Sequence, residues 1–124
     1  MTVLLDTHFV LWLRMGPQQL TPTERNVIDG ASTLYLSVVC LWEIAILLER
    51  GRIPNGTAQL LDVPDGFDLL AIVPDHCRAA AKLPRYHGDP FDRMLIAQAQ
   101  TEQVPLLTRD RAMAAYSGHV TILP

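Results

Sequence analysis

The chain reads as an α/β protein in which a central parallel sheet of about five short strands is flanked by helices. Three observations predict it. Short apolar runs alternate with longer segments of helical periodicity along the sequence, the pattern left by strand-crossover-strand units. Two of those runs, Val3-Leu4-Leu5 and Pro105-Leu106-Leu107-Thr108-Arg109, deliver an aspartate at their end, Asp6 and Asp110, and strand carboxyl ends are where open α/β sheets bind ligands. Breakers fall in the gaps between segments: Pro17, Gly30, Gly51, Pro54, Pro64, Gly66, Pro84 and Gly88.

Taken in order, the first strand is expected over Thr2–Leu5, followed by a helix over Thr7–Arg14 that Asp6 can cap. A helix over Pro22–Gly30 lies between Pro17 and the stop at Gly30. The apolar run Leu34–Ser37 is the second strand, and Val38–Arg50 the next helix, closed by Gly51. A short helix over Gly56–Leu61 and a third strand over Asp68–Ala71 follow, then a helix over Asp75–Leu83 that ends before Pro84. Asp89-Pro90-Phe91-Asp92 puts Asp at the cap and Pro at the first helical position, so a helix over Pro90–Gln103 starts there. The last elements are a strand over Leu106–Thr108, a helix over Arg111–Tyr116 and a strand over Val120–Leu123.

With 124 residues the chain suits one domain, 1–124, with one core. Its 49% hydrophobic and 19% charged residues are those of a compact protein, and the net charge of -3 does not advertise nucleic-acid binding. Acids that bind cations in the working state would mask much of that charge locally. Cys40 and Cys77 form no CxxC pair and have no His at zinc spacing, so both are expected to be buried thiols. The first apolar stretch has no basic residues before it and is interrupted by Asp6 and His8. Neither a signal peptide nor a membrane span is expected, and the protein is expected to be cytoplasmic.

The chemistry is expected to lie in four carboxylates placed where an apolar element should carry something greasy. Asp6 and Asp110 follow strands. Glu43 has Val39, Cys40, Ile46 and Leu47 three and four positions away, so it faces the core side of its helix. Asp92 begins the stripe that continues through Leu95 and Ile96. Carboxylates suit magnesium or manganese, and the missing His and Cys ligands disfavour zinc. Two such ions can activate water for in-line phosphodiester hydrolysis. No GxSxG elbow, GxxxxGK loop or Cys-His pair offers a rival nucleophile.

The segments LLDTHFVLWL (Leu4–Leu13), SVVCLWEIAIL (Ser37–Leu47), HGDPFDRMLIAQA (His87–Ala99) and VPLLTRD (Val104–Asp110) together resemble a PIN-domain ribonuclease, and more narrowly the VapC-type toxins of type II toxin–antitoxin pairs. The resemblance spans the chain except for about 51–70, where nothing distinctive matches. It implies a three-layer PIN-like sandwich and a Mg2+- or Mn2+-dependent endoribonuclease whose acidic quartet maps to Asp6, Glu43, Asp92 and Asp110. It further implies supporting hydroxyls at Thr7 and Thr108, an RNA substrate, a cognate antitoxin peptide that covers an apolar groove, and a homodimer. Leu11, Trp12, Leu13, Ile46 and Leu47 could form such surfaces, and a core explains them equally well. Met113 departs from the pattern, which more often carries Phe there.

Simpler roles compete for each acid: caps for Asp6 and Asp110, a dipole partner for Asp92, and a buried pair with an arginine for Glu43. Asp89 is read as a structural cap. His87 and His8 are read as surface or hydrogen-bonding residues. Arg93 is expected to buttress the site, while Arg85, Arg109 and Arg111 divide between pairing with acids and contacting phosphate. Trp12 and Trp42 are expected in the core or an interface. Three alternatives stand beside the main reading: a catalytically silent PIN-like interaction module, a DNA-directed nuclease, and a receiver-like signalling domain. The last wants a late lysine, and the only lysine is Lys82.

Overall fold

The computed structural model describes residues 1–123. Five parallel strands stand in the order β3-β2-β1-β4-β5: β1 Thr2–Leu5, β2 Thr33–Ser37, β3 Phe67–Leu70, β4 Leu106–Leu107 and β5 Ile122–Leu123. Six helices flank them: α1 Thr7–Met15, α2 Pro22–Gly30, α3 Val38–Glu49, α4 Pro74–Lys82, α5 Pro90–Glu102 and α6 Arg111–Ala114. The central strand is β1, because its Val3, Leu4 and Leu5 are wholly buried and only an apolar run can be covered on both faces.

The order decides where a ligand fits. From β1 the chain winds outward through β2 and β3, then returns to the other side of β1 for β4 and β5. The reversal opens a crevice beyond the carboxyl ends of β1 and β4, which pair through Leu4–Leu106 and Leu5–Leu107. In a receiver-like fold β1 would neighbour the third strand, in the order 2-1-3-4-5. That alternative is overturned by the pairing of β1 with β4.

Helix α5 is tied to the sheet by polar contacts as well as packing. The hydroxyl of Ser37, at the end of β2, donates to the buried Gln98 Oε1 at 2.5 Å, and the Gln98 amide donates to the Ala71 carbonyl at 3.3 Å. His76 of α4 meets Glu102 at 2.9 Å. Leu95, Ile96, Ala97 and Ala99 of α5 complete the core with Phe9, Ile44 and Tyr116.

Several expected elements shift. The helix expected over Gly56–Leu61 is a single 3-10 turn, Ala58–Leu61. Gly56 turns the chain back against α3 so closely that a Cβ there would lie 2.8 Å from side-chain atoms of Leu48 and Ile53. Helix α6 stops at Ala114 and β5 begins only at Ile122, because the intervening chain turns while Tyr116 inserts its ring fully into the core. Cys77 is exposed, in contrast to the buried thiol expected, since it lies on the solvent side of α4 whereas His76 occupies the buried side. Trp42 does not enter the core either. It is 59% exposed and packs edge-on against Phe91.

Candidate functional site

Asp6 follows β1 directly and caps α1, with one carboxylate oxygen accepting from the Phe9 amide at 3.1 Å and the other from the Thr108 hydroxyl at 2.5 Å. It is 5% exposed, and burial pushes its carboxyl above the ordinary range against the opposing pull of those donors. Thr108 lies just past β4, and its hydroxyl oxygen also accepts from the Asp110 amide at 3.1 Å. One side chain therefore sets both strand ends. Asp110 caps α6 through the Ala112 amide at 2.9 Å, which leaves its second oxygen turned toward His87.

Glu43 lies in the second turn of α3, half-buried, and accepts from the Thr7 hydroxyl at 2.6 Å. No arginine pairs with it among the described residues, so the buried ion pair weighed for it is absent there. Asp92 sits in the first turn of α5. Asp89 caps that helix by accepting from the Phe91 and Asp92 amides at 2.9 and 3.1 Å, so the Asp92 carboxylate is not used as the cap and meets His87 instead. Burial, with smaller repulsion from Asp89 and Glu43, holds the Asp92 carboxyl up at about 6.

The four acids form a linked electrostatic set. Asp6 feels the charge of Asp110, Asp92 feels that of Glu43, and the buried Cys40 thiol, pushed up to about 12 by burial, feels Asp6 and Glu43. A fifth group joins the four acids: His87, expected as a surface or hydrogen-bonding residue, does hydrogen-bond, and its partner is Asp92. Its Nε2 lies 2.8 Å from Asp92 Oδ2 and 4.0 Å from Asp110 Oδ2. The signal in the sequence for its approach to the acids is slight: it ends the Pro84–His87 bend, two residues before the α5 cap Asp89.

The arginines divide by what they touch. Arg93 spans the bend that carries His87, donating to the carbonyls of Ala80, Leu83, Pro84 and His87 and to the Tyr116 hydroxyl. Arg109 forms a two-pronged pair with the buried Glu24 of α2 and lies 4.2 Å from the Trp12 ring centroid. Arg109 is thus committed to an acid outside the quartet.

Oxygen donors at close range suit a hard divalent cation. Among the described residues neither Lys nor Arg pairs with Asp6, Glu43, Asp92 or Asp110, and only His87 approaches two of them. Carboxylates repelling one another with no lysine or arginine bonded to them are the charge pattern that a bound metal ion relieves. The donor set therefore fits a metal.

The sequence matches the PIN domain family over residues 3–118. The chain belongs to the PIN-domain family. Among individual relatives of this PIN domain, Ribonuclease VapC22 of Mycobacterium tuberculosis is 30% identical over 119 residues, covering 93% of this chain and 92% of its own. Two solved structures share the fold. VapBC2 from Rickettsia felis, bound to a DNA fragment from its promoter, superposes with a TM-score of 0.73 at 12% identity and covers 99% of this chain and 98% of its own. A toxin–antitoxin complex from Klebsiella pneumoniae gives 0.64 at 16% identity, over 98% and 96%. The PIN domain's sheet is thus a shared framework.

Proposed function

We propose that this PIN domain, acting as one unit over residues 1–124, is a metal-dependent endoribonuclease that hydrolyses RNA phosphodiester bonds and serves as the toxin of a toxin–antitoxin pair. The observation that carries the reading is that Asp92 and Asp110 offer ligand oxygens within 4.8 Å of one another, with Glu43 near enough to repel Asp92 and Asp6 near enough to be repelled by Asp110. Similarity to a protein named as a ribonuclease, over nearly the whole chain, supports RNA as the substrate.

The four carboxylates would hold Mg2+ or Mn2+, which when bound polarises the phosphate and activates the attacking water. The chain's own residues fix the rest. Thr108 and Thr7 donate to Asp6 and Glu43, so these carboxylates are oriented before any substrate arrives. Arg93 and Tyr116 hold the bend beside Asp92.

A small antitoxin that covers the crevice and a homodimer are the partners proposed, in keeping with structural neighbours solved as toxin–antitoxin complexes. No helix among the described residues is long and apolar enough to cross a membrane; the place of action proposed for such a toxin is the cytoplasm.

The test is cleavage of mixed cellular RNA by the antitoxin-free protein, with and without Mn2+, beside Asp6→Ala and Asp92→Asn variants and a single-stranded DNA of matched sequence. Discrete metal-dependent RNA products lost in both variants are expected. Retained cleavage in both would overturn the acid-centred mechanism, and equal cleavage of DNA would replace the ribonuclease reading with a general nuclease.

A further inference from the structure

We propose that His87 is itself a metal ligand, so that the crevice offers a mixed nitrogen and oxygen donor set and favours transition-metal ions over Mg2+. The inference rests on the metal-dependent reading above and extends it to a residue outside the acidic quartet.

The geometry points to it in two ways. One ligand atom from each of His87, Asp92 and Asp110 can be chosen such that all three lie within 4.8 Å of one another. The His87 Nε2 to Asp92 Oδ2 separation of 2.8 Å is close to the roughly 3 Å between neighbouring donor atoms on an ion with ligands at about 2.1 Å. A pair poised at that spacing can exchange a mutual hydrogen bond for a shared cation with little movement.

The bend that presents His87 is also held more firmly than a surface turn requires. The Tyr116 hydroxyl accepts from the His87 amide at 3.2 Å and donates to the Pro84 carbonyl at 2.7 Å. The Arg93 guanidinium ties the same bend to the end of α4 through Ala80 and Leu83 at 3.0 and 3.3 Å. Tyr116 is wholly buried and Arg93 half-buried. The backbone that carries the imidazole is therefore anchored on both sides, through the His87 amide by Tyr116 and through the His87 carbonyl by Arg93. Imidazole nitrogen binds Co2+, Ni2+ and Zn2+ well and adds little for Mg2+, which prefers oxygen.

A purely positioning role for His87, as a hydrogen-bond partner of Asp92, makes a different prediction. It would affect every metal alike, because its effect would pass through Asp92.

The experiment is calorimetric titration of the metal-free protein with Co2+ and separately with Mg2+, for the wild type, His87→Ala, His87→Gln and Asp92→Asn. The visible absorption of the Co2+ forms is recorded, and circular dichroism checks each fold. Ligation predicts that both His87 variants weaken Co2+ binding by ten-fold or more, shift the Co2+ bands and leave Mg2+ affinity within about two-fold. Equal losses for both ions, or Co2+ spectra and affinity unchanged in the His87 variants while Asp92→Asn abolishes binding, would overturn ligation by His87 and leave the metal site standing. Failure of the wild type to bind either ion would overturn both.

Discussion

The Thr108 hydroxyl donates to the Asp6 carboxylate at 2.5 Å across 102 residues of sequence, closing the ends of β1 and β4 over the switch-point crevice. Both groups are buried, and no buried side-chain nitrogen or oxygen among the described residues is left without a partner. Thr108→Val keeps the shape and removes the donor. We expect a loss of about 1–3 kcal/mol in urea unfolding at pH 7, the cost of stranding a buried charged acceptor. Because Thr108 pulls the Asp6 carboxyl down while burial pushes it up, the variant's deficit should shrink as pH falls and Asp6 takes a proton. A deficit that is flat between pH 7 and pH 4 would show that the hydroxyl does not act through Asp6.

Asp92 makes the metal-free fold sensitive to pH near neutrality. Its carboxyl is held up at about 6 in the fold against 3.8 for the free group, chiefly by burial. A raised acid favours the protonated folded state, so the stabilisation is fully present below pH 3.8 and is lost as pH rises through about 6. The metal-free wild type should therefore gain stability, relative to Asp92→Asn, as pH is lowered from 7.5 to 5. Thermal melts of the two proteins across that window read the difference, and parallel curves would refute it.

Glu24 and Arg109 lock α2 onto the segment that presents Asp110. The capping box at the start of α2, in which Thr21 and Glu24 exchange hydrogen bonds, aims the Glu24 carboxylate at the guanidinium. The salt link holds the Glu24 carboxyl below its ordinary range. Arg109 also donates to the Gln19 carbonyl and lies over Trp12. Glu24→Gln should cost about 1.5 kcal/mol, at the low end for a charged hydrogen bond because the arginine remains partly hydrated. Chemical denaturation measures it, and a change below about 0.5 kcal/mol, the usual size for an inert surface site, would show that the pair is not structural.

The two cysteines should react on different timescales. Cys77 is exposed on α4, whereas Cys40 is buried, with its thiol pushed up to about 12 and its sulfur 3.6 Å from the Leu5 carbonyl. Since the thiolate is the reactive form, a disulfide reagent at pH 8 should modify one thiol per chain promptly and the second only on unfolding. Two fast equivalents would place the Cys40 region outside the core.

Much of the framework was legible because it depends on local pattern. The run Val3-Leu4-Leu5, the Asp89-Pro90 start of α5 and the breaker at Gly51 each act through their own neighbours, and each element appears where the pattern put it. Segments stabilised from a distance were less legible. Turn chemistry around Gly56 left only a 3-10 turn where a helix was expected, and Tyr116 diverted the chain after α6 by entering the core. Cys77 and Trp42 look apolar in sequence, but whether such a side chain is covered depends on which helix face meets a neighbour.

The same division runs through the candidate site. By itself the sequence determined which acids stand out, because a carboxylate amid Val39, Cys40, Ile46 and Leu47, or directly after Leu5, is anomalous against its immediate surroundings. Only the tertiary structure decided what those acids meet. The strand order brings Thr108 to Asp6, the helix packing brings Thr7 to Glu43, and the bend anchored by Arg93 and Tyr116 brings His87 to Asp92 and Asp110. The reason is physical: burial and local periodicity are properties of neighbours in the chain, whereas a hydrogen bond or a shared ligand atom depends on distances of a few ångströms. Only the closed sheet and its packed helices set those distances.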